Sequence, residues 1–332
     1  MTSGSLRPAP TRPVAHGSAP DRLHRPIPIT VAHWAEYAAL RGMAGALRGL
    51  GVPGAGAVGA HIGRLGFSPM RIRRDVAVDQ IARAFPEHAP DVVDDIARRS
   101  YEHLGRTAME TALLPSLSRA EIEALFAEVV GWDIVEERLA RGNGLMLVSG
   151  HIGNWELGGA YLAARGLPAS VVARHMANPL VDRYLTRTRE RVGLEVIHDE
   201  VAVRRVPRAI RSGRVVGFLV DQAAIGLAST WVPFFGRMAK TPRGPAVFAL
   251  RLDAPVVFAG VARLPSGRFR FSFEAVDVPR TGVLDDDVDA IVAAYTNVLE
   301  THVRKAPEQY LWQHRRWKHL PPPDRARGSV SP

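Results

Sequence analysis

Leu145-Met146-Leu147-Val148-Ser149-Gly150-His151-Ile152-Gly153-Asn154-Trp155-Glu156 is the stretch on which the fold turns. Leu145–Val148 has the length and uninterrupted apolar character of a strand buried on both faces. Leu157 to Ala164 reads as a helix. A histidine thus stands where a strand ends and a helix begins, and in open α/β sheets that is where ligands bind.

The spacing between His151 and Glu156 sets a geometric condition. Five residues of ideal helix turn through about 500°, or about 140° net, so the two do not share a helix face. They meet only if His151 lies in the turn before the helix. Gly150 and Gly153 permit such a turn, and Asn154 is placed to cap the helix. A histidine oriented by a carboxylate is the arrangement of a general base acting on a hydroxyl. The carboxylate fixes the tautomer and stabilises the imidazolium that forms, and N–H groups at the helix start suit an oxyanion. A structural histidine satisfied by a local carboxylate shows the same spacing, so spacing alone leaves both readings open.

Downstream, strand candidates fall at 145–149, 170–174, 194–198, 215–221, 255–261 and 269–275, with helices at 154–165, 178–192, 201–212 and 241–252 between them. This alternation predicts a largely parallel sheet with helices on its faces. Upstream, residues 68–142 read as helical. Ser68-Pro69 starts one helix, and Ser118 with Glu121 forms a capping box for another. From Ile29 to Gly66 the chain is rich in Ala, Leu, Val and Gly, and fits either an interfacial amphipathic pair or two core helices. Residues 1–29 are Pro-, Arg-, Ser- and Gly-rich without periodicity and read as a disordered tail, as do 321–332. The divisions are therefore a tail (1–29), a helical, membrane-apposed portion (30–142), an α/β core (143–320) and a C-terminal tail (321–332).

Composition narrows the function classes. The absence of cysteine excludes disulfides, thiolate metal sites and a cysteine nucleophile. The net charge of +10 is uneven: residues 1–84 hold eleven Arg against four Asp or Glu, a local +7. A basic, partly apolar N-terminal region fits nucleic acid, an anionic membrane or an acidic protein. There is no run of about eighteen apolar residues and no secretory signal pattern, so the chain is expected in the cytoplasm or on its face of a membrane. His198-Asp199-Glu200 has no companion ligands at suitable spacing, so no metal is expected. No nucleic-acid motif is found.

Gly-His-Ile-Gly-Asn-Trp-Glu resembles the His-x4-Asp/Glu motif of the lysophospholipid acyltransferase superfamily, and within it the late (lauroyl/myristoyl) acyltransferases of bacterial lipid A biosynthesis. Three further blocks match in order: Arg174 with Asn178-Pro179; Asp221-Gln222 followed by Phe234-Phe235-Gly236 and Thr241; and Tyr310-Leu311-Trp312-Gln313-His314-Arg315-Arg316-Trp317-Lys318. The resemblance covers about residues 30–320. The chain departs from it in a less hydrophobic N-terminal segment, a longer tail, and Asp79 where the family often has Asn.

The resemblance implies a glycerol-3-phosphate acyltransferase-like αβα sandwich with a helical N-terminal portion. It also implies transfer of a fatty acyl group from acyl carrier protein or coenzyme A to a hydroxyl of a membrane glycolipid, a lipid A precursor, at the inner membrane's cytoplasmic face. No other cofactor is needed. A lysophospholipid, an ornithine lipid or a phosphatidylinositol mannoside is the alternative acceptor, and a non-catalytic lipid-binding module is the rival class. His151 is the implied base and Glu156 its orienting partner. Substrate binding draws on Gly153, Asn154, Arg174, Asn178, Asp221, Gln222, Thr241, Arg243, Arg315 and Arg316. From position, Asp221 and Gln222 end a strand and face the same crevice, as a second polar contact to His151, as a contact to acceptor hydroxyls, or as loop caps. Thr241-Pro242 reads as a helix N-cap with Pro at N1. Arg315 and Arg316 are candidates for phosphate or carrier-protein contact, while Trp312 and Trp317 read as packing.

Overall fold

The computed structural model describes residues 28–222 and 228–321. The two expected tails lie outside them, apart from residues 28, 29 and 321. Four helices lead: α1 (Val31–Leu47), α2 (Gly51–Phe67), α3 (Arg74–Ala84) and α4 (Pro90–Leu113). A short α5 (Arg119–Ala124) precedes β1 (Phe126–Val130), α6 (Trp132–Ala140), β2 (Leu145–Ser149), α7 (Trp155–Ala164) and β3 (Ala169–Ala173). Then come α8 (Pro179–Arg191), β4 (Glu195–His198), α9 (Ala202–Arg211), β5 (Val215–Leu219), the pair β6 (Ser229–Phe234) and β7 (Arg237–Pro242), and α10 (Gly244–Leu252). β8 (Val256–Arg263), β9 (Phe269–Ala275) and α11 (Leu284–Lys305) complete the regular elements.

Seven strands form one sheet in the order β1-β9-β8-β2-β5-β3-β4. Its pairings are parallel except for β8 with β9, which are antiparallel. β2 sits at the centre, and its alternation feeds two cores. Met146 and Val148 pack with α3, α4, α9, α10 and α11 on one face. Leu145 and Leu147 pack with α5, α6 and α7 on the other. A strand covered on both sides must be apolar throughout, which is why Leu145–Val148 reads as a continuous run.

The α/β expectation holds, with three local differences. Ser68-Pro69 does not start a helix: Ser68 caps the end of α2, and α3 begins only at Arg74. Residues 126–130 fall within the segment read as helical, yet they form edge strand β1 against β9. Its short, half-exposed Phe-Ala-Glu-Val-Val carries no strong period. Residues 229–242 form an antiparallel hairpin, so Thr241 ends a strand. α10 then starts at Gly244 with Pro245 in its first turn and Arg243 at the cap. The hairpin turns at Phe235-Gly236 with φ of 52° and 67°, the two-residue geometry whose twist suits paired strands. Phe235 tolerates that backbone because its ring is packed against Phe85, Phe234 and Trp312.

Ser118 and Glu121 form the expected capping box. α2 packs on α4 through glycine. A Cβ on Gly59 would lie 2.2 Å from the Gly105 carbonyl oxygen, and one on Gly63 would lie 1.9 Å from that of Tyr101. The two backbones therefore touch, and any side chain there would hold them apart. Gly105→Ala is expected to destabilise by about 1–3 kcal/mol through overpacking. Gly42→Ala, on an open face of α1 where a Cβ meets nothing within 4 Å, is expected to stabilise by about 0.5–1 kcal/mol. Thermal unfolding midpoints check both; equal shifts in the two variants would refute the backbone contact.

Candidate active site

β2 and β5 are parallel neighbours in which Ser149 pairs with Leu219. Two residues beyond each member of that pair stand His151 and Asp221. Val220 N–H donates to Ser149 O at 2.9 Å, extending the ladder one step past the strands. His151 and Asp221 therefore arrive level at the same sheet edge. Asp221 Oδ1 lies 2.7 Å from His151 Nδ1, and Asp221 Oδ2 accepts the His151 backbone N–H at 3.0 Å. One carboxylate thus holds both the ring and the backbone of the histidine.

Asp221 is fully buried. Burial pushes its carboxyl pKa up. The positive charge of His151, the two hydrogen bonds from that residue and the charge of Arg316 outweigh burial and hold the pKa at about 2. The Gln222 amide lies 3.3 Å from His151 Nδ1, and Trp155 packs edge-on against the imidazole at 4.9 Å between centroids. Tyr310 sits beside Asp221, and burial together with that carboxylate drives its phenol well above the usual range.

The turn carrying His151 is clamped from three directions. Gly153 has φ of 59°, and a Cβ there would fall 1.4 Å from the Val261 carbonyl oxygen. Only glycine lets the turn lie against β8. On the other side the C-terminal segment pairs with the turn like a short strand: Gly153 N–H donates to Gln309 O at 2.9 Å, and Leu311 N–H donates to His151 O at 3.1 Å. From below, Asn154 caps α7 by accepting the Leu157 N–H at 3.0 Å, and its amide donates to Glu110 on α4 at 2.8 Å. Glu110 is buried but also receives Arg263 at 2.6 Å, so its charge is paired.

Glu156 does not occupy the place that the spacing assigned to it. His151 does lie in the glycine turn, but Glu156 is in the first turn of α7 and faces α8. Its two oxygens receive Arg189 Nε at 3.0 Å and an Arg189 terminal nitrogen at 2.5 Å. No hydrogen bond joins Glu156 to His151 among the described residues. The orienting carboxylate at His151 is Asp221.

The other sequence candidates divide between the site and its scaffold. Arg316 is buried: it donates to Lys240 O at 2.7 Å and to Thr241 Oγ1 at 2.6 Å, which ties the C-terminal segment to the hairpin. It supplies charge behind Asp221 and has no open face for a phosphate. Arg315 is exposed. Arg243 pairs with Asp285 at the acidic start of α11. Arg174, half exposed, pairs with Asp199 at 3.0 Å. Asn178 caps α8 through Leu180 N–H and reaches α1, donating to His33 O and to Glu36 at 2.8 Å.

Two contributors were not singled out from the sequence. Glu110 and Arg189 each lie within helices, and nothing in their local spacing marks them. Only their buried ion pairs, far apart in sequence, do so.

Known proteins resemble this chain over most of its length. A family model described as bacterial lipid A biosynthesis acyltransferase matches residues 22–319. The chain is 27% identical to an Escherichia coli protein named lipid A biosynthesis lauroyltransferase, over 80% of this chain and 85% of that one. It is likewise 27% identical to the lipid A biosynthesis palmitoleoyltransferase of the same organism, with the same coverage. It is 28% identical to a phosphatidylinositol mannoside acyltransferase of Mycolicibacterium smegmatis, over 61% of this chain and 65% of that one.

The depressed pKa of Asp221 has a consequence for acid stability. A carboxyl held at about 2 when folded, against about 4 in an unfolded chain, contributes stability that is present above about pH 4. That stability is lost as pH falls towards 2. Chemical unfolding of wild type across this window is expected to lose on the order of 2 kcal/mol more than Asp221→Asn does. Parallel acid profiles in the two proteins would count against the pairing.

Proposed function

The chain belongs to the bacterial lipid A biosynthesis acyltransferase family, and on that basis we propose that it moves a fatty acyl group from an acyl thioester, carried by acyl carrier protein or coenzyme A, to a hydroxyl of a membrane glycolipid of the lipid A-precursor type. The observation that carries the mechanism is the 2.7 Å contact between His151 Nδ1 and Asp221 at adjacent strand ends. With Nδ1–H donated to Asp221, the lone pair sits on Nε2, and that nitrogen is the base.

In this reading Nε2 takes the proton of the acceptor hydroxyl as its oxygen attacks the thioester carbonyl. The resulting imidazolium is stabilised by Asp221. The tetrahedral adduct collapses with cleavage of the C–S bond, and the departing sulfur takes the proton back from Nε2. An ester and a free thiol result, with no acyl group on the enzyme. Glu156 acts at one remove: its pair with Arg189 fixes α8 against the turn, so it is a positioning residue.

The N-terminal helices give a surface for the membrane. None of the described helices is long and apolar enough to cross one. Yet Val31 and Trp34 on α1 are 86% and 56% exposed, and Leu65 in the last turn of α2 and Met70 and Ile72 after it are also exposed. Large apolar side chains in water beside an excess of arginine suit binding at the surface of an anionic bilayer. We place this face on the cytoplasmic side of the inner membrane. The similarity to a phosphatidylinositol mannoside acyltransferase supports that acceptor as the second reading.

His151→Ala and Asp221→Asn are each expected to lower kcat for acyl transfer by about 10²–10⁴-fold. Appearance of the acylated acceptor, followed by mass spectrometry, provides the readout. Glu156→Gln strips a half-buried Arg189 of its partner and is expected to lower the unfolding midpoint along with activity. If Glu156→Gln matched the kcat loss of Asp221→Asn at an unchanged midpoint, the orienting role would return to Glu156.

A further inference from the structure

α1 and α8 enclose a cavity of about 170 Å³ on the far side of α8 from the catalytic turn. Its walls carry three aromatic rings, Trp34 and Tyr37 from α1 and Tyr184 from α8. Four arginines complete it: Arg41, and Arg183, Arg187 and Arg191 spaced four residues apart along one face of α8. The side chains of these four make no ion pair or hydrogen bond with any described residue, and the Arg41 guanidinium lies over the Tyr184 ring, 5.8 Å from its centroid. Of the carboxylates nearby, Glu36 bonds Asn178 and Asp182 bonds His175, while Glu190, also on α8, forms no ion pair with the four.

Like charges four residues apart on a helix repel by a few tenths of a kcal/mol. A row of three with a fourth facing it is therefore a standing cost that an anion would relieve. Guanidinium forks match phosphate oxygens two at a time. Flat rings beside them offer an apolar face to the C–H side of a sugar. The cavity is sized for a small headgroup, and its aromatic walls and concave form do not suit the flat apposition of an acidic protein.

Position relates this cavity to the chemistry. Arg187 and Arg191 are each two residues from Arg189, or about 200° around the helix, so Arg189 points the opposite way. Arg189 is the residue that grips Glu156, five residues after His151. The cavity and the Arg189–Glu156 pair thus lie on opposite faces of α8.

We infer that the α1–α8 cavity binds a phosphorylated sugar, the phosphate on Arg41, Arg183, Arg187 and Arg191 and the ring against Trp34, Tyr37 and Tyr184. This rests on the glycolipid reading of the acceptor and names the part of it that is recognised.

The test is a binding titration on the full chain, which requires no turnover. Glucose 1-phosphate is added to wild type while tryptophan fluorescence is followed, with Trp34→Phe to show that the signal comes from the cavity. Saturable binding is expected, at least tenfold weaker in Arg183→Ala/Arg187→Ala, whose two substituted side chains are exposed, and unchanged in His151→Ala. Glucose without the phosphate and inorganic phosphate without the sugar are each expected to bind at least tenfold more weakly. Inorganic phosphate binding as tightly as the sugar phosphate would reduce the cavity to a plain anion site and overturn the inference. Unweakened binding in the double variant, or no saturable signal, would overturn it too. If the double variant instead raised KM for acyl carrier protein and left acceptor KM unchanged, the surface would belong to the carrier and the inference would fail. Loss of all acyl transfer by wild type would refute the enzyme reading while leaving the titration to decide the cavity.

Discussion

The contact between Gly153 and the carbonyl of Val261 is the constraint on which the site is built. A Cβ at 153 would lie 1.4 Å from that oxygen, inside any tolerable separation. The absence of a side chain lets the turn after β2 press against β8, and this closeness keeps His151 off helix α7. Once the histidine is off the helix, the next strand over supplies its partner. Ser149 and Leu219 are paired, so a carboxylate two residues past β5 arrives level with a histidine two residues past β2. Sheet register performs the alignment that a helix could not perform between residues five apart.

Around this edge the buried charges are arranged in compensating groups. Asp221 sits between His151 and Arg316, and Glu110 sits between Asn154 and Arg263. Isolated, each carboxylate would be driven to take up a proton; surrounded, each stays ionised and holds its neighbours rigidly. Glu156 with Arg189 is a third such group, and it connects the catalytic turn to α8 and, through Asn178, to α1. The helix that carries the aromatic and basic cavity is thus fastened to the helix that follows His151.

The central strand, the glycine turn and the helix after it were legible in the sequence because their signals are local: four apolar residues, two glycines and a capping asparagine. The partner of His151 was legible only in part: its strand end offers Asp221 as a second contact, while the spacing gives the orienting role to Glu156. A carboxylate five residues away is visible to a reader of spacing, while Asp221 becomes a neighbour only once β5 is known to lie beside β2, with β3 and β4 beyond it. Parallel sheets hide that order, because the crossover helices do not say how many places they cross. Thr241-Pro242 misled for a related reason: a threonine before a proline satisfies the local rules for a helix start, and the hairpin that claims it is fixed by Phe234, Val232 and Ala239 packing beneath. The four sequence blocks converge physically. Phe235 meets Trp312, Thr241 meets Arg316, and the segment after Gln309 lies along the histidine turn.

That last pairing bears on when the protein becomes competent. Domains form as the chain emerges, N-terminal parts first, and contacts between residues distant in sequence are slow to close. The strands that bear His151 and Asp221 are made well before Tyr310, Leu311 and Arg316. Until those late residues settle, the histidine turn lacks one of its walls and Asp221 lacks the cation behind it. The α/β scaffold by itself therefore lacks part of the setting of His151 and Asp221. Competence comes with a strap of about ten residues that adds almost nothing to the sheet.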